Sequence, residues 1–474
     1  MKDPMPDQLY AGVGRADITP PVGIAHANWG AQVHQRAAGV DLPLWATVLV
    51  LRTGDETVVI VDLDIMYLWD ASATRVRQAV AELTGVPETH VRLSYTHTHS
   101  GPSTLSDRST WAGAGSEMVA AYDESLPHRI AGAAWTALRD LRPAQLAAGK
   151  GNCTIAVNRR FQRPEDGAVI VGRNWEGPVD HDVPVIRIDT LEGEPLAAVV
   201  HYACHPITVG PDNDLITPDY PGMVKRVVEQ ATGATCLFLQ GATGDVGPVR
   251  GVARGGAQEY KRLGTILGLE ASRVWWESDP RPRRDRYEGT LESGAPLAIY
   301  TDEVTSPRDV RLRVGTRTMQ LPLRTLPPPD EMEAEYQKHL AHLNDLRANG
   351  GDEDAIRLVT MSCKRTAMRA QLARDVQGKT HRAFDLHAIA IGDEIALIAM
   401  PGEPFVEIGL AVKRASPFTH TLFSGYTNVG WSYIPAAAEY PRGGYEIEVT
   451  PFDPSAANLI VDESLALLAD LAAR

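Results

Sequence analysis

Short runs of β-branched and other apolar residues recur along the chain, separated by segments with helical spacing, and this alternation most limits the folds open to it. "TVLVLRTG" (47–54) and "TVVIVDLDIMYL" (57–68) are two such runs, joined by the turn "TGDE". "ASATRVRQAVAELTG" (71–85) has the spacing of a helix stopped at Gly85. A helix is expected near 126–141, then the strands "VPVIRIDT" and "PLAAVVHYA", then a helix from about Tyr220 to Ala231. The unbroken apolar run "TCLFLQGA" predicts a strand covered on both faces. Polar helices near 330–349 and 353–376 precede "HAIAIGDEIALIAMPGE", a hairpin turning at Gly392-Asp393, and an amphipathic helix closes the chain at about 454–472. The fold class expected is α/β, a mixed sheet core flanked by helices, in one large domain spanning residues 1–474. "DPRPRRDRYEG" and "RTLPPPDE", rich in proline and charge, mark a peripheral insertion at about 279–330.

With 474 residues, 44% of them hydrophobic, the chain can bury a sizeable core. Its 60 acidic against 46 basic residues give a formal charge of -14, which makes a nucleic acid or an anionic membrane a poor partner and a small-molecule substrate the expected one. "MKDPMPDQLYAGVG" has no apolar core for an export signal, and no run of about 18 apolar residues occurs, so a cytoplasmic location is expected. Cys153, Cys204, Cys236 and Cys363 lack CxxC spacing and are expected as small apolar core residues. Oligomeric state is open, a homo-oligomer included.

The chemistry-bearing stretch is "RLSYTHTHSGPS" (92–103). If the strand continues through it, His97 and His99 share a face with Tyr95 and can address one point. Paired histidines also hydrogen-bond within cores, so a metal site needs further donors. In "VVHYACHPITVG", His205 follows the strand and is fixed by Pro206, whereas His201 lies within the strand and is expected to be structural. Glu403 in "PGEPF" is either a metal-binding carboxylate or a first-turn helix acid. Tyr426, Tyr433, Tyr440 and Tyr445 fall in a Gly-rich loop, where tyrosines commonly serve as packing anchors. An HxHxDH binuclear centre is excluded, because Gly101 and Pro102 stand where that pattern needs Asp-His. His34, His181, His381 and His387 remain surface or core histidines.

Taken together, "GVGRADITPPVG", "THTHSGP", "VNRR", "VDHDVPVIRID", "HPIT", "DYPG", "QGATGDVGP", "PGEPF" and the Tyr-rich loop resemble, in order, the catalytic domain of neutral ceramidases. The resemblance implies one zinc ion held by His97, His205, Glu403 and Tyr433. It further implies His99 beside the metal-bound water, Arg159 as a substrate contact and Tyr445 as an oxyanion donor. Two departures redirect the expected activity. Gly247 in "GDVGP" replaces the family's nucleophilic serine, and the chain ends at the catalytic domain's last helix without the family's C-terminal β-sandwich. A zinc-dependent hydrolase of an amide or related bond in a soluble small molecule, working through activated water and not on ceramide, is therefore expected. The alternatives are an esterase or lactonase, a lyase or isomerase on the same scaffold, or a binding protein that lost the serine. Gly247 then enlarges the cavity, and Asp245 is expected to stabilise its loop.

Overall fold

The structure, a computed structural model, describes residues 8–474 except 27, 30, 33, 104–113, 251–256, 282 and 305–309. Its largest sheet has eight strands in the order Thr235–Gln240, Pro195–Tyr202, Asp182–Thr190, Arg142–Asn152, Tyr10–Asp17, Trp45–Thr53, Glu56–Leu63, Val91–Tyr95. The outermost pair at each end is parallel, and every pairing between them is antiparallel. A four-stranded sheet follows in the order Leu312–Pro322, His381–Ile391, Ile395–Ala399, His420–Ser424.

The two-residue period of each strand assigns its side chains to two cores. Val48, Val50, Val59 and Val61 pack toward helices Asp70–Thr84 and Val119–Arg139, while Leu49, Leu51, Val58 and Ile60 face the opposite way. The same division recurs in the second sheet, where Ala388, Ala390 and Ile398 share a core with helices Val406–Ala415 and Ala456–Ala472. Ile389, Ile391 and Leu397 instead meet the Leu49 and Ile60 side chains of the large sheet. The result is four layers, helix–sheet–sheet–helix, and it explains the apolar runs: strands covered on both faces need no polar alternation. Helices Asp219–Thr232 and Ala257–Glu277 cover the other half of the large sheet.

The large sheet curls so that its two ends meet. Only Tyr10–Pro143 and Ala11–Arg142 pair strands Tyr10–Asp17 and Arg142–Asn152, leaving the sheet open at its middle. Across the gap, Phe238 N–H donates to Asp62 Oδ2 at 3.0 Å and Gln240 Nε2 donates to the Thr96 carbonyl at 3.3 Å. Lys225, buried, joins the ends by donating to Asp62 Oδ2 at 2.9 Å and to Asp64 Oδ1 at 2.7 Å. The carboxyl ends of both parallel pairs thereby face a common space, the position where open α/β sheets place ligands.

Helix boundaries fall within a few residues of expectation at Asp70–Thr84, Asp219–Thr232, Pro329–Ala348, Glu353–Val376 and Ala456–Ala472. Helix Val119–Arg139 begins earlier than expected and carries Pro127 inside it. The 279–330 segment contains a two-stranded ribbon, Arg283–Leu291 with Leu297–Val304, while its residues 305–309 lie outside the described part. Among the described residues no helix is long and apolar enough to cross a membrane.

Candidate metal centre

Strand Val91–Tyr95 ends earlier than expected, so pleat alternation does not align the two histidines. His97 instead adopts φ 67°, a left-handed conformation that costs a non-glycine residue about 1 kcal/mol. Its N–H bonds to the Ile65 carbonyl at 3.1 Å, and its Nδ1 lies 3.0 Å from the Met66 carbonyl. That carbonyl accepts the Nδ1 proton, leaving Nε2 as a free acceptor. His99 is oriented likewise by the Asn28 carbonyl, 3.1 Å from Nδ1.

His205 enters from the end of strand Pro195–Tyr202, its N–H held by the Val246 carbonyl at 3.0 Å. The His97, His99 and His205 rings lie within 5.0 Å of one another centre to centre, with His99 Nε2 3.0 Å from His205 Nε2. One nitrogen from each falls within 4.8 Å of the others, an arrangement that could hold a metal ion. His201, by contrast, spends Nε2 on the Phe423 carbonyl at 2.7 Å and stays in the core.

Glu403 joins from the second sheet. Gly402, at φ 83°, turns the chain after strand Ile395–Ala399, and Glu403-Pro404 pairs in parallel with Tyr433-Ile434. This short ladder sets Glu403 beside Tyr433, and Glu403 Oε2 lies 3.6 Å from His97 Nε2. Segment 426–428 fastens the sheets together here. Tyr95 N–H bonds to the Tyr426 carbonyl at 3.1 Å, Asn428 N–H to the Leu93 carbonyl at 2.8 Å, and Tyr426 N–H to the Gly402 carbonyl at 2.9 Å. Tyr426, with φ 49°, thus brings its ring 4.3 Å from that of His97 and its hydroxyl 3.5 Å from Glu403 Oε2. Its hydroxyl also accepts from Thr243 Oγ1 at 2.7 Å. Sequence reasoning named Tyr426 as a loop tyrosine but gave it no place at the centre.

The electrostatics favour a cation. Burial holds His97 and His205 well below the usual imidazole range, and His99 down to about 4, so all three are neutral at pH 7 with lone pairs available. Burial pushes the Glu403 carboxyl up to about 8, opposed by Arg159 and by the hydroxyls of Tyr433 and Tyr426. His97 Nε2 is fully buried without a hydrogen-bond partner, an arrangement that normally costs about 1–3 kcal/mol. Neutral imidazoles, an unspent nitrogen and a carboxyl starved of positive charge form a donor set that fits zinc.

The other expected residues cluster on one side. Arg159, buried, donates from Nε to Glu446 Oε1 at 3.0 Å and places its guanidinium 5.4 Å from the Tyr433 ring centre. Tyr445 opens the four-residue helix Tyr445–Glu448, its ring 5.7 Å from that of Tyr433, and burial pushes its hydroxyl up to about 12 so that it remains a donor. Asp245 accepts from Val406 N–H at the start of helix Val406–Ala415 at 2.8 Å and from Asn158 Nδ2 at 3.0 Å, so it holds the loop. Gly247 pairs with Val157 on strand Ala156–Gln162, next to Arg159. A Cβ there would meet Ile207 Cδ1 at 3.6 Å and Arg159 Cβ at 3.7 Å, ordinary contact distances.

Residues 9–252 match the family model for the neutral/alkaline non-lysosomal ceramidase N-terminal region. The chain belongs to this family. The neutral ceramidase of Pseudomonas aeruginosa is 23% identical over 96% of this chain and 72% of its own length. Neutral ceramidase A of Dictyostelium discoideum is 25% identical over 50% of this chain and only 35% of its own length. The crystal structure of the Pseudomonas aeruginosa neutral ceramidase superposes with a TM-score of 0.65 at 20% identity, covering 98% of this chain and 75% of that one. The mixed α/β ceramidase fold expected from the sequence is therefore the fold observed. By homology the protein is a ceramidase-family hydrolase with a three-histidine group that could hold a metal ion.

Proposed function

We propose that the protein is a zinc-dependent hydrolase that cleaves an amide bond of a small soluble substrate with an activated water molecule. The observation that carries this reading is the unspent, fully buried Nε2 of His97, grouped with His99, His205 and the Glu403 carboxyl. His97, His205, Glu403 and Tyr433 would hold one ion. When bound, zinc supplies Lewis acidity, which polarises a carbonyl and lowers the pKa of water toward about 7. His99, neutral and turned by Asn28, receives the proton that water gives up and passes it to the leaving nitrogen. Tyr445, kept protonated by burial, donates to the developing oxyanion. Arg159, fixed by Glu446, contacts the substrate beside Tyr433. Gly247 offers no nucleophilic side chain beside Arg159, and activated water requires no serine.

The deciding experiment joins metal analysis to turnover. Purified protein is expected to carry about one zinc per chain. It should hydrolyse short N-acyl amides, lose that activity with a chelator and regain it with zinc. Chelator-insensitive turnover would remove the metal from the reaction; matched esters cleaved in place of amides would move the assignment to an esterase.

A further inference from the structure

Beside helix Tyr445–Glu448, with Ile447 and Glu448 but none of the three histidines in its lining, is a cavity of about 510 Å³, within the usual range for small-ligand sites. Its lining includes the guanidinium-bearing Arg324, Arg365 and Arg369 together with the apolar Leu326, Met332 and Leu372. Three guanidiniums face a single lining carboxylate, Glu448, in a chain whose formal charge is -14. The neutralisation they receive is thin. Arg365 reaches Glu448 only at 4.0 Å, and Arg369 meets Glu335 at 3.5 Å. Arg324 donates from Nη2 to the Ile447 carbonyl at 2.6 Å, but its Nε is buried without a partner. Burial holds the Arg324 guanidinium below its usual range despite Tyr440, and neighbouring Arg369 adds to the effect.

We propose that this cavity binds a small amphiphilic anion, a carboxylate or phosphate monoester whose head is held by Arg324, Arg365 and Arg369 and whose apolar stretch lies on Leu326, Met332 and Leu372. Guanidinium forks match the planar or tetrahedral oxygens of such heads, and an anion would supply the acceptor that Arg324 Nε lacks. The site is formed by residues 324–327 after strand Leu312–Pro322, Met332 of helix Pro329–Ala348, helix Glu353–Val376, and residues 447–448. It needs no metal. Helix Tyr445–Glu448 contributes Ile447 and Glu448 to the cavity and also carries Tyr445, so occupancy bears on the helix that presents Tyr445.

Calorimetric titration of the intact protein tests this with octyl phosphate, octanoate, 1-octanol and inorganic phosphate as probes. The expected result is saturable one-to-one binding of octyl phosphate or octanoate, weakened about tenfold or more in Arg365→Gln and in Arg369→Gln. The tighter of the two anions identifies the head, and 1-octanol and inorganic phosphate should each bind more weakly. His97→Ala should leave the affinity unchanged. The proposal is overturned by no saturable binding of either amphiphile, by affinity unchanged from the unsubstituted protein in both arginine variants, or by loss of binding in His97→Ala. In that last case the probes occupy the metal centre. Arginine-to-glutamine changes at these partly exposed positions are expected to leave the thermal midpoint in place, so lost binding is distinguishable from lost fold.

Discussion

Two glycines three residues apart in "GATGDVGP" should respond oppositely to the same methyl group. At Gly247 an added Cβ finds Ile207 Cδ1, Arg159 Cβ and Arg159 Cδ at 3.6, 3.7 and 3.8 Å. Contacts at these distances are attractive, about 0.1–0.2 kcal/mol each. Replacing glycine by alanine in a compatible backbone adds about 0.4–1 kcal/mol by restricting the unfolded chain. Gly247→Ala is therefore expected to stabilise by roughly 0.5–1.5 kcal/mol. At Gly244 the Cβ would lie 2.5 Å from the Glu403 carbonyl oxygen and 3.1 Å from that of Pro404, backbone atoms that cannot rotate away. Overpacking of this kind costs about 1–3 kcal/mol, so Gly244→Ala is expected to destabilise despite the entropic gain. It also pushes on the residue that presents the Glu403 carboxylate. Thermal melts scale to on the order of 1 °C per kcal/mol for a chain this long, so urea unfolding beside zinc content per chain is the sharper assay. Gly247→Ala should hold its metal and unfold at higher urea, while Gly244→Ala should lose both. Equal destabilisation in the two variants would refute the claim that residue 247 accommodates a methyl group at ordinary contact distance.

Further outcomes follow from the same geometry. On the proposed reaction Tyr445 is an oxyanion donor, so Tyr445→Phe should lower kcat about 10²- to 10³-fold with little change in stability, measured on whichever amide substrate turns over. Glu403→Gln should strip zinc from the purified protein whereas His99→Asn should retain it; the reverse pattern would make His97, His99 and His205 the ligand set. Lys225→Met leaves Asp62 and Asp64 buried without their shared cation and should cost about 3–5 kcal/mol in equilibrium unfolding. Lys364 donates to the Trp29 and Gln32 carbonyls at 3.1 Å, and Trp29 packs 5.1 Å from the His99 ring, so Lys364→Met should loosen that wall and raise KM more than it lowers kcat.

What the sequence disclosed about this site follows from how far each cause reaches along the chain. Apolar runs are local, so strands such as Thr235–Gln240 and the hairpin at Gly392 were legible; their cover on both faces is what makes the runs unbroken. The convergence of His97 with His205 was suggested by two histidines each following a strand, yet the means was misjudged. Alternation along a strand was expected to aim His97 and His99 together, whereas a left-handed residue at 97 and carbonyls from Met66 and Asn28 do so. No periodicity encodes that turn. Tyr433 beside Glu403 depends on a ladder of two residues, too short to leave a pattern, and entered only through resemblance to a family. Tyr426 owes its place to a cross-link between the two sheets that pairs residues more than 300 positions apart, Asn428 with Leu93 among them. The backbone hydrogen bonds that residue 426 makes to Tyr95 and Gly402 do not themselves call for a tyrosine. What makes tyrosine informative there is the side chain's destination, between His97 and Glu403. A residue's chemistry is thus readable from sequence only when its neighbours are local, and the cluster of His97, His99, His205 and Glu403 is assembled where they are not.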